Sequence, residues 1–198
     1  MKKFVIGIAG GSASGKSTFS DNLEEALKPN SVKVFHMDSY FKKPEDRPRA
    51  AAPISGKIYM DDNHPTTMDL PKLAQDIEYY LKNGEAEIVI IEGLLTLWDE
   101  NILKHLDLKL FVDCRADERI VRRLKRNMTW GLTYDQISDV YLDLVRYRHD
   151  EYVEPTKWRA DFILNGSNPS ETTLEMITTY VKEKIKNGTA CNACKSAL

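Results

Sequence analysis

The chain has 198 residues, of which 28 are basic and 30 acidic, so its formal net charge is −2. This length supports one compact domain with a substantial core better than two, and we assign residues 1–188 to a single domain. The balanced charge gives no reason to expect a nucleic acid or an anionic membrane surface as a partner. No apolar stretch in the sequence is long enough to cross a bilayer, so we expect a soluble protein of the cytoplasm.

Apolar runs alternate with segments of helical periodicity along the chain. This alternation predicts an α/β fold with a parallel sheet, and continuously apolar strands are typical of a sheet covered by helices on both faces. The predicted strands are, in chain order, residues 4–9, 32–36, 88–91, 108–112 and 162–164. Helices are predicted where apolar residues share one face, around residues 19–27, 73–81, 137–145 and 174–185. Thr133 and Gln136 form a capping box that should begin the third of these helices.

One segment, residues 42–67, does not follow this alternation. It contains several prolines and lacks sustained periodicity. Long irregular segments inside a compact domain are usually either functional or disordered. Because this segment follows Asp38 closely, we favour a substrate-covering insertion over a disordered loop.

The cysteines fit a reducing compartment. Cys191 and Cys194 form a CxxC pair near the end of the chain. Zinc would need four ligands, and no second Cys or His pair lies nearby in the sequence. We therefore predict that residues 189–198 form a flexible tail with reduced, inert cysteines.

The strongest chemical signal is a GxxxxGK[ST] motif between the first predicted strand and the first predicted helix. It comprises Gly10, Gly11, Ser12, Ala13, Ser14, Gly15, Lys16 and Ser17. The glycines let consecutive backbone N–H groups surround phosphate oxygens at the positive end of a helix. Lys16 would reach the outer phosphates of a nucleotide, and Ser17 would bind Mg²⁺. An ordinary glycine-rich turn would not explain Lys and Ser at those two positions.

Two carboxylates follow predicted strands, at the edge where ligands collect in a parallel sheet. Glu92 ends the strand at residues 88–91, and Asp38 follows the strand at residues 32–36. We interpret Glu92 as a metal-site residue, the alternative being a carboxylate exposed to solvent. Asp38 is the candidate general base for an acceptor hydroxyl, although a turn residue would have the same position.

Four arginines share one side of a predicted helix: Arg119, Arg122, Arg123 and Arg126. Such a stripe is either a solvated face or a set of mobile cations that close over a transferred phosphoryl group. Trp130 and Gly131 provide a break at which a lid of residues 119–132 would end. The residues alone leave both interpretations open.

Together these segments resemble the uridine/cytidine kinase branch of the phosphoribulokinase and uridine kinase family, from residue 4 to about residue 188. The segments that carry the resemblance are GGSASGKST at 10–18, DSYF at 38–41, NHPTTMD at 63–69, IEGLL at 91–95, LFVDCRADERIVRRLKRN at 110–127 and EPTKWRAD at 154–161. The resemblance implies a three-layer P-loop kinase fold with a five-stranded parallel core. It also extends the nucleotide-binding motif to Thr18.

The resemblance further implies a reaction in which the γ-phosphoryl group of ATP is transferred to the 5′-hydroxyl of uridine or cytidine. It implies Asp38 as the base, Glu92 near Mg²⁺, and a lid whose catalytic arginines are Arg119, Arg123 and Arg126. It makes a homo-oligomer an expectation. The residues expected to contact the acceptor are Asp38, Tyr40, Asp62, Asn63 and His64.

Two departures from the family pattern concern the acceptor. Where the nucleoside kinases typically have Asp-His-Pro, with the Asp on the ribose hydroxyls, this chain has Asn63-His64-Pro65. An amide and a carboxylate differ in hydrogen-bond donors as well as in charge. Trp130 and Leu132 replace the arginines expected around the lid glycine. The acceptor pocket or the phosphate clamp can therefore differ from that of the resembled family.

Three other functions stay open at this point. The same chemistry could act on another alcohol, such as nicotinamide riboside or pantothenate. The chain could also be a nucleotide-dependent switch, although it lacks the Asn-Lys-x-Asp sequence of a guanine-binding protein. A binding protein descended from a kinase is the third alternative, against which the retained Lys16, Asp38 and Glu92 argue.

Overall fold

The computed structural model describes residues 2–195, with side chains described up to residue 187. Its strands are β1 (Phe4–Gly10), β2 (Val32–His36), β3 (Arg49–Ala51), β4 (Ile58–Met60), β5 (Ile88–Glu92), β6 (Leu108–Asp113) and β7 (Phe162–Asn165). Its α-helices are α1 (Lys16–Ala26), α2 (Leu70–Asn83), α3 (Glu100–Leu103), α4 (Ala116–Met128), α5 (Tyr134–Val140), α6 (Arg146–Arg148) and α7 (Glu171–Lys195). Short 3-10 turns span Met37–Tyr40, Pro44–Asp46, Pro65–Thr67 and Glu154–Arg159, and π-helical turns span Tyr141–Val145 and His149–Val153.

The predicted parallel sheet is confirmed. Five strands pair in the order β2-β5-β1-β6-β7, and every pair is parallel. The register puts Ile8 of β1 and His36 of β2 on either side of Glu92, the last residue of β5. The carboxyl ends of β1, β2 and β5 therefore meet at one edge of the sheet, and the loops that follow them start there.

Two apolar layers cover the two faces of the sheet. On one face, Leu73 of α2 belongs to the same buried cluster as Ile91 of β5. On the other face, Leu23 of α1 and Val181 of α7 belong to the cluster of Ile90. Successive residues of β5 thus face opposite layers, as the two-residue period of a strand requires. This arrangement confirms a three-layer α/β fold.

The capping box predicted before the third helix is present. Thr133 Oγ1 accepts a hydrogen bond from the Gln136 N–H (3.3 Å), and Gln136 Oε1 accepts one from the Thr133 N–H (2.9 Å). α5 accordingly begins at Tyr134. The helix continues beyond Val140 as two π-helical turns on either side of α6, which periodicity alone did not predict. π turns insert extra residues into a helix and often occur beside functional sites.

The insertion at residues 42–67 forms an antiparallel hairpin from β3 and β4. Gly56 has a φ of +69° in the connecting turn, where an L side chain would be strained. Asp143, in the first π turn, accepts hydrogen bonds from Ser55 Oγ (2.7 Å) and Tyr59 Oη (2.9 Å). The hairpin is thereby attached to the helical region that follows the lid.

The end of the chain is described only in part. α7 extends to Lys195, but the side chains from residue 188 onward lie outside the described ones. The predictions for the tail and for Cys191 and Cys194 therefore stay predictions. Among the residues that the structure describes, no helix is both long and apolar enough to span a membrane.

Candidate active site

The loop between β1 and α1 has a backbone that glycine adopts more readily than other residues. Gly10 and Gly15 have φ values of 151° and 101°. A Cβ on Gly10 would lie 2.6 Å from the carbonyl oxygen of Val112, so the loop tolerates no side chain there. α1 begins at Lys16 with no side-chain cap. The N–H groups of its first turn are thus available to an anion, as in phosphate-binding loops.

Glu92 joins three side chains at the carboxyl edge of the sheet. Its Oε1 accepts a hydrogen bond from Ser17 Oγ (3.0 Å) and lies 3.5 Å from Lys16 Nζ. Its Oε2 lies 3.2 Å from His36 Nδ1. A hydroxyl and a carboxylate side by side are the oxygen ligands that Mg²⁺ prefers, so this pair fits that ion. Lys16 is buried and held beside the loop.

Asp38 lies in the 3-10 turn that follows β2, and its side chain is exposed. Within the described part of the chain, its carboxylate makes no hydrogen bond or ion pair. Burial lowers the pKa of Arg126, and the negative charge of Asp38 opposes that shift. Asp38 is therefore a carboxylate without a hydrogen-bond partner in the described part of the chain, and it lies near a cation of α4.

Two lid arginines converge on the phosphate loop from α4. Arg123 Nη1 and Arg126 Nη2 donate hydrogen bonds to Ser12 Oγ, at 3.0 and 3.3 Å. Burial and the nearby charge of Arg126 lower the pKa of Arg123. Arg123 Nε is buried without a hydrogen-bond partner among the described residues. The two guanidinium groups thus retain the capacity to bind further anionic oxygens at the loop.

The remaining arginines of the stripe have different surroundings. Arg119 is buried, and its Nε donates to the carbonyl oxygen of Cys114 (3.0 Å). Its guanidinium lies close enough to Gly11 that a Cβ there would be 2.7 Å from Nη1. Arg122 Nη1 donates to the carbonyl oxygen of Gly166 (2.9 Å) beyond β7. Arg119, Arg122 and Arg123 are thus at least partly buried, and only Arg126 of the four is exposed.

Two cavities lie on either side of the phosphate loop. The larger, with a volume of about 630 Å³, extends from the loop to the segment after β7, around Gly166. The smaller, of about 420 Å³, is lined by Asp38 together with residues of the insertion, the lid and α5. Lys16 and Arg126 line both cavities. The loop and the lid therefore lie where the two cavities meet.

Not every residue predicted to bind the acceptor lines the smaller cavity. Asp38, Asp62 and Asn63 line it, whereas Tyr40 and His64 do not.

The two absent side chains are committed elsewhere. The Tyr40 hydroxyl donates a hydrogen bond to Asp76 Oδ2 (3.0 Å) on α2, and burial together with Asp76 raises the pKa of Tyr40 to about 12. His64 Nδ1 accepts a hydrogen bond from the Thr66 N–H (3.2 Å) and caps the 3-10 turn at Pro65–Thr67.

Sequence reasoning missed two arginines that bind the acidic residues of the smaller cavity. Arg47 Nη1 lies 3.1 Å from Asp62 Oδ1, and Arg148 Nε lies 2.6 Å from Asp61 Oδ2. The partners are 15 and 87 residues apart in the sequence. Neither arginine lies in a recognisable motif, so no local pattern could have identified these pairs.

The chain is similar in sequence to a known kinase family. The sequence model of the Phosphoribulokinase / Uridine kinase family matches residues 55–173. A uridine kinase of Deinococcus deserti is 31% identical over 208 aligned positions, covering 93% of this chain and 98% of that protein. The chain belongs to the phosphoribulokinase and uridine kinase family. A uridine kinase of Clostridium novyi, 28% identical, covers 92% of this chain and 97% of its own length.

Solved structures support the same fold for this member of the family. The Thermus thermophilus protein TT1252 is similar with a TM-score of 0.57 and 20% identity, covering 93% of this chain and 98% of that one. A Bacillus stearothermophilus protein gives a TM-score of 0.52 and 22% identity, covering 82% of this chain and 89% of that one. Family membership and the named relatives identify the chain as an ATP-dependent kinase of the uridine kinase type.

Proposed function

We propose that this kinase transfers the γ-phosphoryl group of ATP to a hydroxyl of a small alcohol, with the 5′-hydroxyl of uridine or cytidine as the leading acceptor. The observation that carries the proposal is the meeting of two cavities at Lys16 and Arg126. Phosphoryl transfer requires the nucleotide and the acceptor on opposite sides of the transferred group. The relatives' name, uridine kinase, supports a nucleoside as the acceptor.

The larger cavity suits the base and the ribose of ATP. Its walls include apolar side chains from α1, β7 and α7, namely Phe19, Leu164 and Leu174. Nucleotide sites combine such walls with a few polar groups that set the orientation of the ligand. The phosphates would then bind the loop at residues 10–18, where backbone donors and Lys16 are available.

Mg²⁺ would be held by Ser17, with Glu92 beside it. A bound Mg²⁺ neutralises negative charge on the phosphate oxygens during transfer. Lys16 now lies beside Glu92 and would bind the outer phosphates of the nucleotide. These residues need little movement, because they already share one edge of the sheet.

The chemical step follows from the residues around the smaller cavity. Asp38 accepts the proton of the acceptor hydroxyl as the hydroxyl oxygen forms its bond to the γ-phosphorus. The bond from that phosphorus to the bridging oxygen breaks, and ADP leaves with the electron pair. Arg123 and Arg126 stabilise the charge on the transferred group, and Arg119 supports the loop from behind Gly11.

The acceptor would lie between the insertion and α5. Asp62 and Asn63 are available to its hydroxyl groups, and apolar side chains such as Phe41 and Leu144 offer a wall for a planar base. Direct contacts from Tyr40 and His64 remain predictions from the resemblance, and they would require side-chain movement on binding.

The test is ADP release from ATP and Mg²⁺ over a panel of uridine, cytidine, nicotinamide riboside, pantothenate and simple sugars. We expect turnover of uridine or cytidine. Asp38→Asn should lower kcat by about 10²- to 10⁴-fold, the usual contribution of a general base, while ATP affinity stays near that of the parent. Asp46→Asn is the matched control, since Asp46 is an exposed carboxylate outside both cavities.

The possible outcomes separate the alternatives. Turnover of another acceptor would keep the mechanism and replace the substrate. Tight ATP binding without turnover of any acceptor would contradict the proposal and favour a nucleotide-binding regulator. Full activity of Asp38→Asn would remove Asp38 from the role of base.

A further inference from the structure

We propose that Arg148 is a positioning residue for the acceptor, which acts through Asp61 to hold Asn63 in the acceptor cavity. This inference rests on the proposed function, because it assigns the smaller cavity to the acceptor. Arg148 belongs to α6 and lies outside the motifs that predicted the site.

Arg148 and Asp61 form a close ion pair in which the Asp61 carboxylate is buried. Arg148 Nε lies 2.6 Å from Asp61 Oδ2, and Asp61 is 1% exposed. A second contact, from Arg148 Nη1 to Glu151 Oε2 (2.6 Å), sets the orientation of the guanidinium. Burial lowers the pKa of Arg148, but the hydrogen bonds to the two carboxylates outweigh it and raise the pKa.

Asp61 transmits this constraint to the next residues of the chain. Its Oδ1 accepts a hydrogen bond from the Asn63 N–H (3.4 Å), and its own N–H donates to the carbonyl oxygen of Pro48 (2.8 Å). Both carboxylate oxygens of Asp61 therefore already accept a hydrogen bond from the protein. Each oxygen has a second lone pair, but Asp61 is 1% exposed, so its main effect on the cavity is to hold the residues around it.

One oxygen of Asp62 also has a partner within the protein, whereas the Asn63 side chain has none among the described residues. Asp62 Oδ1 lies 3.1 Å from Arg47 Nη1, and Arg47 Nε donates to the carbonyl oxygen of Lys42 (2.7 Å). The Asn63 side chain lines the cavity and makes no hydrogen bond to the part of the chain that the structure describes. Its amide offers one acceptor oxygen and one NH₂ donor, which suits a hydroxyl or a carbonyl group of an uncharged acceptor.

Removing the guanidinium should displace Asn63. A buried carboxylate that loses its cation is strongly unfavourable, so Asp61 would turn toward water or take up a proton. Either change would weaken the hydrogen bond from the Asn63 N–H to Asp61 Oδ1. The segment from β4 to Pro65–Thr67 would then be held less firmly in place. ATP binds on the other side of the loop and should not be affected.

The test compares Arg148→Met with Arg148→Lys and with the double variant Arg148→Met/Asp61→Asn, using uridine as the acceptor. We expect Arg148→Met to raise the KM for uridine by about tenfold, with the KM for ATP within about twofold of the parent. Arg148→Lys should reverse part of the increase in the uridine KM, because it restores a positive charge beside Asp61. The double variant should also reverse part of it, because it removes the unpaired negative charge of Asp61. Arg146→Ala is the control, because Arg146 is an exposed neighbour that contacts Tyr147.

Amide hydrogen exchange over residues 58–67 gives a second readout that does not depend on turnover. Exchange there should be faster in Arg148→Met, with the sheet unchanged. Unchanged exchange in this segment would overturn the proposal, as would a uridine KM equal to that of Arg146→Ala. Equal increases in both KM values would indicate a general structural role and would also overturn it. If the parent turns over no acceptor, the proposed function fails, while exchange still decides whether Arg148 holds the segment.

Discussion

Glu92 contacts three other side chains at the carboxyl edge of the sheet. Its carboxylate contacts Ser17, Lys16 and His36 while being 5% exposed. A carboxylate held beside the Ser17 hydroxyl offers oxygen ligands of the kind that a divalent cation takes next to phosphates.

Glu92→Gln tests this role at constant size. We expect the Mg²⁺ concentration for half-maximal activity to rise about tenfold or more, the usual cost of losing a supporting ligand. The measurement is a Mg²⁺ titration at saturating ATP and acceptor. Glu85→Gln serves as the control, since Glu85 is exposed at the other end of the strand. A Mg²⁺ dependence that matches the control would exclude Glu92 from the metal site.

His149 makes the stability of the protein depend on pH. Burial lowers its pKa below the usual value of 6.5, and the nearby charge of Arg119 lowers it further, against Glu154 and Asp150, which raise it. Below pH 6.5 the unfolded chain binds a proton at His149 that the folded chain does not bind. The free energy of unfolding therefore decreases as the pH is lowered from 6.5 to the pKa of His149 in the folded protein. Glu154, whose pKa is also lowered, contributes to the loss only in a more acidic range, below 4.5.

His149→Gln should reduce this acid sensitivity. We expect the free energy of unfolding of the variant to fall less than that of the parent between pH 7.5 and 5.5. Urea denaturation at several pH values in that range measures the difference. An equal fall in the two proteins would show that another group is responsible.

At the scale of elements, the lid depends on the contact between α4 and the residues that follow it. Arg126 lies over the ring of Trp130, with 5.0 Å from the guanidinium carbon to the ring centroid. Trp130 is 65% exposed and lines the smaller cavity. The ring thus limits the positions open to Arg126, which lines both cavities.

Trp130→Ala should release Arg126 from this position. A cation–π contact at an exposed site stabilises by about 0.5–1 kcal/mol, so we expect kcat/KM for the acceptor to fall about two- to fivefold. Steady-state kinetics at saturating ATP measures the change. In Trp158→Ala, which removes an exposed indole outside both cavities, the value should stay at the parent level. A similar loss in both variants would contradict the assignment.

The elements themselves were largely predictable. All five predicted sheet strands are present. The continuous apolar run at residues 88–91 is fully buried between the two apolar layers, as such runs usually are. The capping box at Thr133 marked the start of α5 for a local reason, the need to satisfy free N–H groups. The π turns at Tyr141–Val145 and His149–Val153 were not predictable, since apolar periodicity does not distinguish a short π turn from the α-helix around it.

At the scale of the whole molecule, stability rests on the two apolar layers, whereas surface apolar residues contribute little. Ile6→Ala, at a fully buried position of the central strand, should lower the free energy of unfolding by about 2–5 kcal/mol. Ile54→Ala, at a position 76% exposed on the hairpin, should change it by less than about 0.5 kcal/mol. Urea denaturation measures both values. Similar changes in the free energy of unfolding for the two variants would contradict the claim that stability rests on the buried layers.

The sequence by itself determined the phosphate loop, the strands and the acidic residues at their ends. Each depends on short-range geometry: the spacing of a motif, the period of an element, and the rule that parallel strands end at one edge. Glu92 and Asp38 could therefore be assigned to that edge before the structure was known.

Only the tertiary structure decided which side chains contact each other at this edge of the sheet and around it. It brings Arg148 to Asp61 across 87 residues, selects Arg123 and Arg126 to contact Ser12, and turns Tyr40 toward Asp76. The physical reason is that an ion pair or a hydrogen bond between distant elements depends on how those elements pack. Neither the period of an element nor the spacing of a motif encodes that packing.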